Sequence, residues 1–177
     1  MLLLNLGRAV IVSAIFFVLL GLVYPLVETA IGQTLFPRQA NGSLTANGST
    51  LIGQQWQGPQ WFQGRPDGDD LNATGGSNLG PRSQKLLDTY RERVAGFERQ
   101  GITPTPDLIA ASGSGVDPHI SPAAAYGQVD AVASARHLDP SRVHDLVAAH
   151  VHGPQFGFLG APYINVLELN EALSALT

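Results

Sequence analysis

The first change of pattern along the chain comes early. Between Arg8 and Glu28 the run AVIVSAIFFVLLGLVYPLV carries no charged or amide side chain, so its apolar residues occupy the whole helical circumference and not one stripe. At about 1.5 Å rise per residue it makes a helix of about 28 Å, close to the roughly 30 Å of bilayer hydrocarbon. Leu2, Leu3, Leu4 and Leu6 lengthen it. Soluble helices keep a polar face, so the run predicts a membrane span. A cleaved signal peptide has a shorter apolar run followed by small residues. Here Glu28 stands two residues before Ala30, where a small residue is needed, so the reading is a retained anchor. Tyr24 suits the distal interface, and Pro25 falls where interrupting the hydrogen-bond ladder costs least. The amino terminus and Arg8 on a short flank, against Arg38 with Glu28 on the other, predict a cytoplasmic N-terminus and an exported remainder.

After Phe36 the pattern becomes that of a water-soluble fold, which divides the chain into an anchor with its flanks, 1–35, and one soluble domain, 36–177. Asn41-Gly42 and Asn47-Gly48 suit the positive backbone angles of two-residue hairpin turns, and the second pair predicts strands over 43–46 and 49–54. Asn41, Asn47 and Asn72 also sit in N-x-S/T patterns, for which turn chemistry is the simpler account of the Asn-Gly pairs. A short strand is predicted at 61–64, followed by a surface loop. Pro81 opens a helix in which Leu86, Leu87, Tyr90, Val94 and Phe97 recur at helical spacing, and Gly101 stops it. Residues 106–112, PDLIAAS, read as a strand. Ser121 and Pro122 start a helix with Ala125, Val129, Val132 and Ala133 inside, and Asp139 and Pro140 start another with Val143, Leu146 and Val147 inside. Residues 163–167 alternate as a strand and 169–176 close as a helix. Strands and helices without βαβ repetition predict an α+β class: a single N-terminal transmembrane helix followed by one mixed extracytoplasmic domain.

Composition narrows the function. Only 14% of the residues are charged, against about 25% in an ordinary globular domain, and before Arg65 the only charges are Arg8, Glu28 and Arg38. The net charge is −4, Lys85 is the single lysine and there is no cysteine. Nucleic-acid binding lacks its basic face, while disulfides, thiolate metal sites and a cysteine nucleophile are excluded. The adjacent helices after Ser121 are no DNA reader, since the second presents Asp145 with only Arg142.

Three stretches invite chemistry. GGSNLGP, with Gly76, Ser77 and Asn78, precedes a helix but lacks the Gly-Lys-Ser/Thr of a phosphate loop, and Leu79 stands where a nucleophile elbow needs glycine. It reads as a turn. SGSGVDPHISP puts Ser112, Ser114, Asp117 and His119 in one loop. A catalytic triad needs side chains converging from separate segments, so a rigid docking loop is preferred, with a membrane-tethered extracytoplasmic hydrolase using Ser112 or Ser114 with His119 as the alternative. The amides of 113–115 also suit an anion nest. Among the five histidines, His150 and His152 with His119 or Asp117 are the only metal combination, without metal-site spacing, and His137 and His144 fall on solvated helix faces. No metal, cofactor or catalytic residue is assigned. In the anchor, Gly7, Ser13, Ala14 and Gly21 are small enough for close helix approach.

Seven segments in order, the span ending LVYPLV, then GQTLFPRQANGSL, GSTLIGQ, WFQGRP, TGGSNLGP, ASGSGVDPHISPAAAYGQV and GAPYINVLELNEAL, make the chain resemble the family of C subunits of the Kdp potassium-transporting P-type ATPase. The resemblance implies a single-span accessory subunit in the bacterial plasma membrane. Its implied partners are a channel-like potassium-translocating subunit, a P-type ATPase subunit phosphorylated on aspartate and a very small membrane subunit, with ATP and potassium handled by the complex. The family is described as a catalytic chaperone that raises ATP affinity, a role associated with a glutamine that corresponds to Gln128.

Overall fold

The computed structural model describes residues 2–67 and 73–176; Asn72 and its N-x-S/T pattern lie outside the described residues. The chain forms two compact units, Met1–Leu44 and Thr45–Thr177.

In the first unit, α1 (Leu2–Val18) runs through a π turn (Leu19–Val23) into α2 (Tyr24–Leu35). Residues Leu4–Leu35 are long and apolar enough to cross a membrane, and the chain itself buries none of the span's apolar window. The π turn has a cause in Pro25. Proline has no amide hydrogen for the carbonyl four residues back and its ring crowds that carbonyl; the ladder widens one step earlier, where the Tyr24 amide donates to the Leu19 carbonyl. Proline and π turns are the ordinary sources of such irregularities. The helix continues past Glu28, and the hydroxyls of Thr29 and Thr34 donate to the carbonyls of Pro25 and Ala30, each at 2.7 Å. The short α3 (Pro37–Ala40) follows Phe36. The first Asn-Gly pair is no hairpin turn: the Asn41 side chain donates to the Pro37 carbonyl at 2.6 Å and pairs with the Gln33 amide, so it closes α3 while Gly42 turns the chain at φ +79°.

A hairpin of β1 (Leu44–Thr45) and β2 (Gly48–Ser49) comes next. Its strands are shorter than predicted, and its turn residues are Ala46 and Asn47, because the Thr45 hydroxyl bonds to the Gly48 carbonyl and the Asn47 amide. Helix α4 (Gln84–Arg99) starts three residues after Pro81, with Ser83 as N-cap. Its end matches expectation: Gly101 has φ +72°, and the amides of Ile102 and Gly101 donate to the carbonyls of Phe97 and Glu98. This doubled closure is the Schellman arrangement that favours glycine.

Residues 106–112 form no strand. Pro106 opens a one-turn helix, α5 (Pro106–Ile109), and the Asp107 carboxylate accepts from the Thr105 hydroxyl and the Ser121 amide, each at 2.6 Å. Partial burial pushes the Asp107 carboxyl upward, but those hydrogen bonds outweigh it and hold it below the usual carboxylate range. The helix expected from Pro122 is broken into α6 (Pro122–Tyr126) and α7 (Val129–Arg136). Ser121 caps it, accepting from the Ala124 amide, and Ala125, Val129, Val132 and Ala133 are buried as predicted. Helix α8 (Pro140–Ala149) is capped by Asp139 and buries Val143 and Val147. A two-residue antiparallel pair, β3 (His119–Ile120) with β4 (Ile164–Asn165), aligns His119 with Asn165 and Ile120 with Ile164. The predicted strand at 163–167 ends early because Asn165 accepts from the amides of Leu167 and Glu168, capping α9 (Val166–Ser174).

The core of the second unit joins Phe62, Leu108, Val132, Val143, Val147, Ile164, Leu169 and Leu173. The strand expected at 61–64 is absent, and the backbone there is satisfied in another way. The Phe62 amide donates to the Asn170 side-chain oxygen and the Asn170 amide group donates back to the Phe62 carbonyl, both at 2.9 Å. One residue on, the Gln63 amide donates to Gln128 Oε1 at 2.7 Å, and Gln128 Nε2 donates to the carbonyls of Gln63 and Ala124, both at 3.1 Å. Both carboxamides are fully buried. They stand where a partner strand would stand. Asn170→Ala leaves a buried amide and a buried carbonyl unpaired, each worth about 1–3 kcal/mol; chemical denaturation is expected to show a loss of roughly 2–4 kcal/mol, while exposed Asp145→Ala stays within about 0.5 kcal/mol.

Candidate docking site

The loop at 112–119 is built from outside itself. Arg93 of α4 donates to the carbonyls of Ile109 (2.7 Å) and Pro66 (3.3 Å), which sets 65–67 alongside 109–112. Asp67 then faces the loop's donors. Its Oδ1 accepts from the Ser112 amide at 2.7 Å, and its Oδ2 from the Ser112 hydroxyl at 3.0 Å and the Asp117 amide at 2.6 Å. On the flanks the Gly75 amide donates to the Ser114 carbonyl and the Gly53 amide to the Val116 carbonyl. Gly115, at φ +73°, has no room for a side chain, since a Cβ there would lie 2.5 Å from the Gly75 carbonyl oxygen. Glycine is the residue that both the angle and the contact require.

The hydrolase alternative fails on this geometry. Ser112 is buried, its hydroxyl donates to Asp67 and accepts from the Gly115 amide at 2.8 Å, and the Ser114 hydroxyl lies 3.2 Å from that of Ser112 and accepts from the Val116 amide. His119 turns to Asp117, Nδ1 to Oδ1 3.5 Å, and among the described residues no hydrogen bond joins either serine to a histidine. A general base must reach its nucleophile; here the serines brace the loop. The nest reading is also reduced, because the Gly115 amide is already taken.

Gly76, Ser77 and Asn78 are exposed beside this loop. A Cβ on Gly76 would sit 3.4 Å from the Gly113 carbonyl, so the two loops form one surface with Gly113 and Ser114. Asn78 takes φ +54°, which asparagine tolerates. A cleft of about 330 Å³ is lined by Gln54, Trp56, Gln63, Arg65 and Asp117 among others; Trp56 Nε1 and Arg65 Nε are buried without a hydrogen-bond partner, the latter 3.8 Å from Asp117 Oδ2. Gln128 lines no part of this cleft; its amide is consumed by Gln63 and Ala124. The histidines are scattered: His150 Nδ1 pairs with the Leu146 carbonyl, His144 lies tilted against the Tyr126 ring at 4.7 Å, and His137 is the left-handed cap of α7. His119 and His152 instead flank the Tyr163 ring at 4.4 and 5.0 Å. Partial burial and His152 lower the His119 pKa more than Asp117 and Glu168 raise it. Among the described residues no group of three or more His, Asp or Glu is placed to hold a metal.

On the anchor, Gly7 and Ala14 are seven residues apart in α1, within about 20° on one helical face, and Gly21 falls in the π turn; an added Cβ at Gly7 or Gly21 meets nothing within 4 Å. Ser13 lies beside this row. Asp67 and Asn170, the two residues that organise the domain, were missed in the sequence. Asp67 lies in a Pro-Asp-Gly stretch that reads as a turn, and Asn170 sits in a helix without a local signal.

The family described as "KdpC: K+-transporting ATPase, c chain" matches residues 6–175. The chain is similar to the potassium-transporting ATPase KdpC subunit of Kineococcus radiotolerans, 51% identical over 167 residues covering 87% of this chain and 85% of the relative. The same subunit of Burkholderia orbicola is 48% identical, covering 88% of each chain, and that of Gloeobacter violaceus 43%, covering 97% and 96%.

Asp67→Asn turns one acceptor oxygen into a donor facing donors. It is expected to cost about 1–3 kcal/mol and to raise amide exchange at Ser112 and Asp117, whereas exposed Ser114→Ala moves stability by less than about 1 kcal/mol; hydrogen exchange and denaturant titration measure both.

Proposed function

Since the chain belongs to the family of C chains of potassium-transporting ATPases, we propose that it acts as an assembly and regulatory subunit with no active site of its own. The observation that carries this reading is the fate of the reactive side chains. Asp67, Ser112, Ser114 and Asp117 spend their hydrogen bonds on holding the 112–119 loop in shape, and what they leave at the surface is a rigid face made of two loops. A surface fixed before binding loses less ordering entropy on docking.

The anchor is proposed to lie in the bacterial plasma membrane with its N-terminus cytoplasmic, on the strength of the short Arg8 flank, and to pack its small-residue face against partner helices. The domain then lies outside, against a channel-like potassium-translocating subunit, while a P-type ATPase subunit and a small membrane subunit complete the complex. Potassium and ATP belong to those partners. An exported domain does not meet cytoplasmic ATP, and the Gln128 amide is occupied by the fold, so any rise in ATP affinity is transmitted through the assembly and not by a nucleotide on this chain.

The test is purification of the complex from membranes by a tag on the full chain. The reading expects a P-type ATPase to be retained and its potassium-stimulated activity to fall when the chain is deleted. A chain that purifies alone, beside an ATPase of full activity without it, contradicts the reading.

A further inference from the structure

Among the described residues outside the anchor, the two most exposed large apolar side chains, Phe156 and Phe158, belong to one loop. Within GPQFGFLGAP, residues 153–162, Phe156 is 85% exposed, Phe158 76% and Leu159 49%, and the stretch has no charged residue. Exposed apolar clusters of this kind mark interaction sites.

The loop is built to hold them out. At its base His152 and Tyr163 exchange both backbone hydrogen bonds, at 2.8 and 3.0 Å, and the Tyr163 ring is flanked by His119 and His152. Above this, Gln155 and Leu159 exchange a second pair, both at 2.9 Å, while the Gly157 and Phe158 amides donate to Pro154 and Gln155. Phe156 takes φ +54° and Gly157 φ +82°. A positive φ is an outlier for a bulky aromatic, and here it closes the tip. The amides of Gln155, Gly157, Phe158 and Leu159 are therefore satisfied inside the loop, so they need no water when the tip is buried.

We infer that the 155–159 tip is an apolar plug that seats Phe156 and Phe158 in a dry pocket on the exposed face of another subunit of the same ATPase. This rests on the assembly reading above. Charge selects a protein over lipid: segments held at a bilayer surface carry Lys or Arg for anionic headgroups and Trp or Tyr at the interface, whereas this tip has none of them and belongs to a chain of net charge −4. Its fixed shape favours a complementary pocket, the setting in which buried aromatics dominate interface energy. Membership in a family of ATPase subunits supplies such a partner.

The test replaces Phe158 in the full chain by p-benzoylphenylalanine, irradiates native membranes, purifies the complex and identifies adducts by mass spectrometry. The same probe at Asp145, whose side chain is 86% exposed, is the comparison. The inference expects an adduct to another subunit of the ATPase from position 158 and none from 145. Phe156→Ser should cut the yield about tenfold, in line with removing one buried aromatic, without moving the thermal midpoint of the purified chain. An adduct only to lipid, only to a second copy of this chain, or none while the ATPase still copurifies overturns the plug and leaves the assembly reading standing. If the unmodified chain retains no ATPase, both fall.

Discussion

Phe62 and Gln63 lose water from their backbones without joining a sheet, and two carboxamides replace what a strand would have supplied. Asn170 comes from α9 and Gln128 from the break between α6 and α7. Among its described residues this domain has only two-residue strands, too short to organise a core, so a buried backbone segment must be paired by side chains or remain at the surface. The amide pair lets Phe62 sit in the centre of the core at full burial and fixes the path of everything that follows from Gln63.

That path determines the candidate site. Three residues beyond Phe62 the chain delivers Arg65, then Asp67, whose carboxylate organises the 112–119 loop. A shift of the 62–63 segment would carry Asp67 away from three donors at once. The break at Gly127 belongs to the same device. A Cβ added at Gly127 would lie 3.3 Å from the carbonyl oxygens of Ala123 and Thr103, and at this break the Gln128 amide lies across from Gln63 while still reaching Ala124. Gln128, the position that the family resemblance associates with ATP affinity, is a structural keystone here, its carboxamide fully engaged by Gln63 and Ala124.

Much of this was legible from residues alone, for reasons that differ by element. The long apolar N-terminal helix was readable because crossing lipid imposes a single requirement, apolar side chains over a fixed length, and the helix ends at Gly101, Ser121 and Asp139 because caps are local chemistry. The strands were overpredicted at 61–64 and 106–112 because an alternating or apolar run says that a segment is buried, not what pairs with its backbone; at 61–64 the answer lies in Gln128 and Asn170, 65 and 108 residues away. At 106–112 the start signal of Pro106 and Asp107 outweighed the apolar run. The hydrolase alternative arose from proximity in sequence, and long-range bonding to Asp67 overrode it.

The central claim is that the 62–63 backbone is paired as firmly as a core strand although no strand is present. Native-state hydrogen exchange of the full chain in micelles tests it directly, at the amides of Phe62 and Gln63. The account predicts that both exchange only with global unfolding, at the same opening free energy as core amides of α9. Exchange at these two amides as fast as at exposed loop positions such as Gly113 would contradict it.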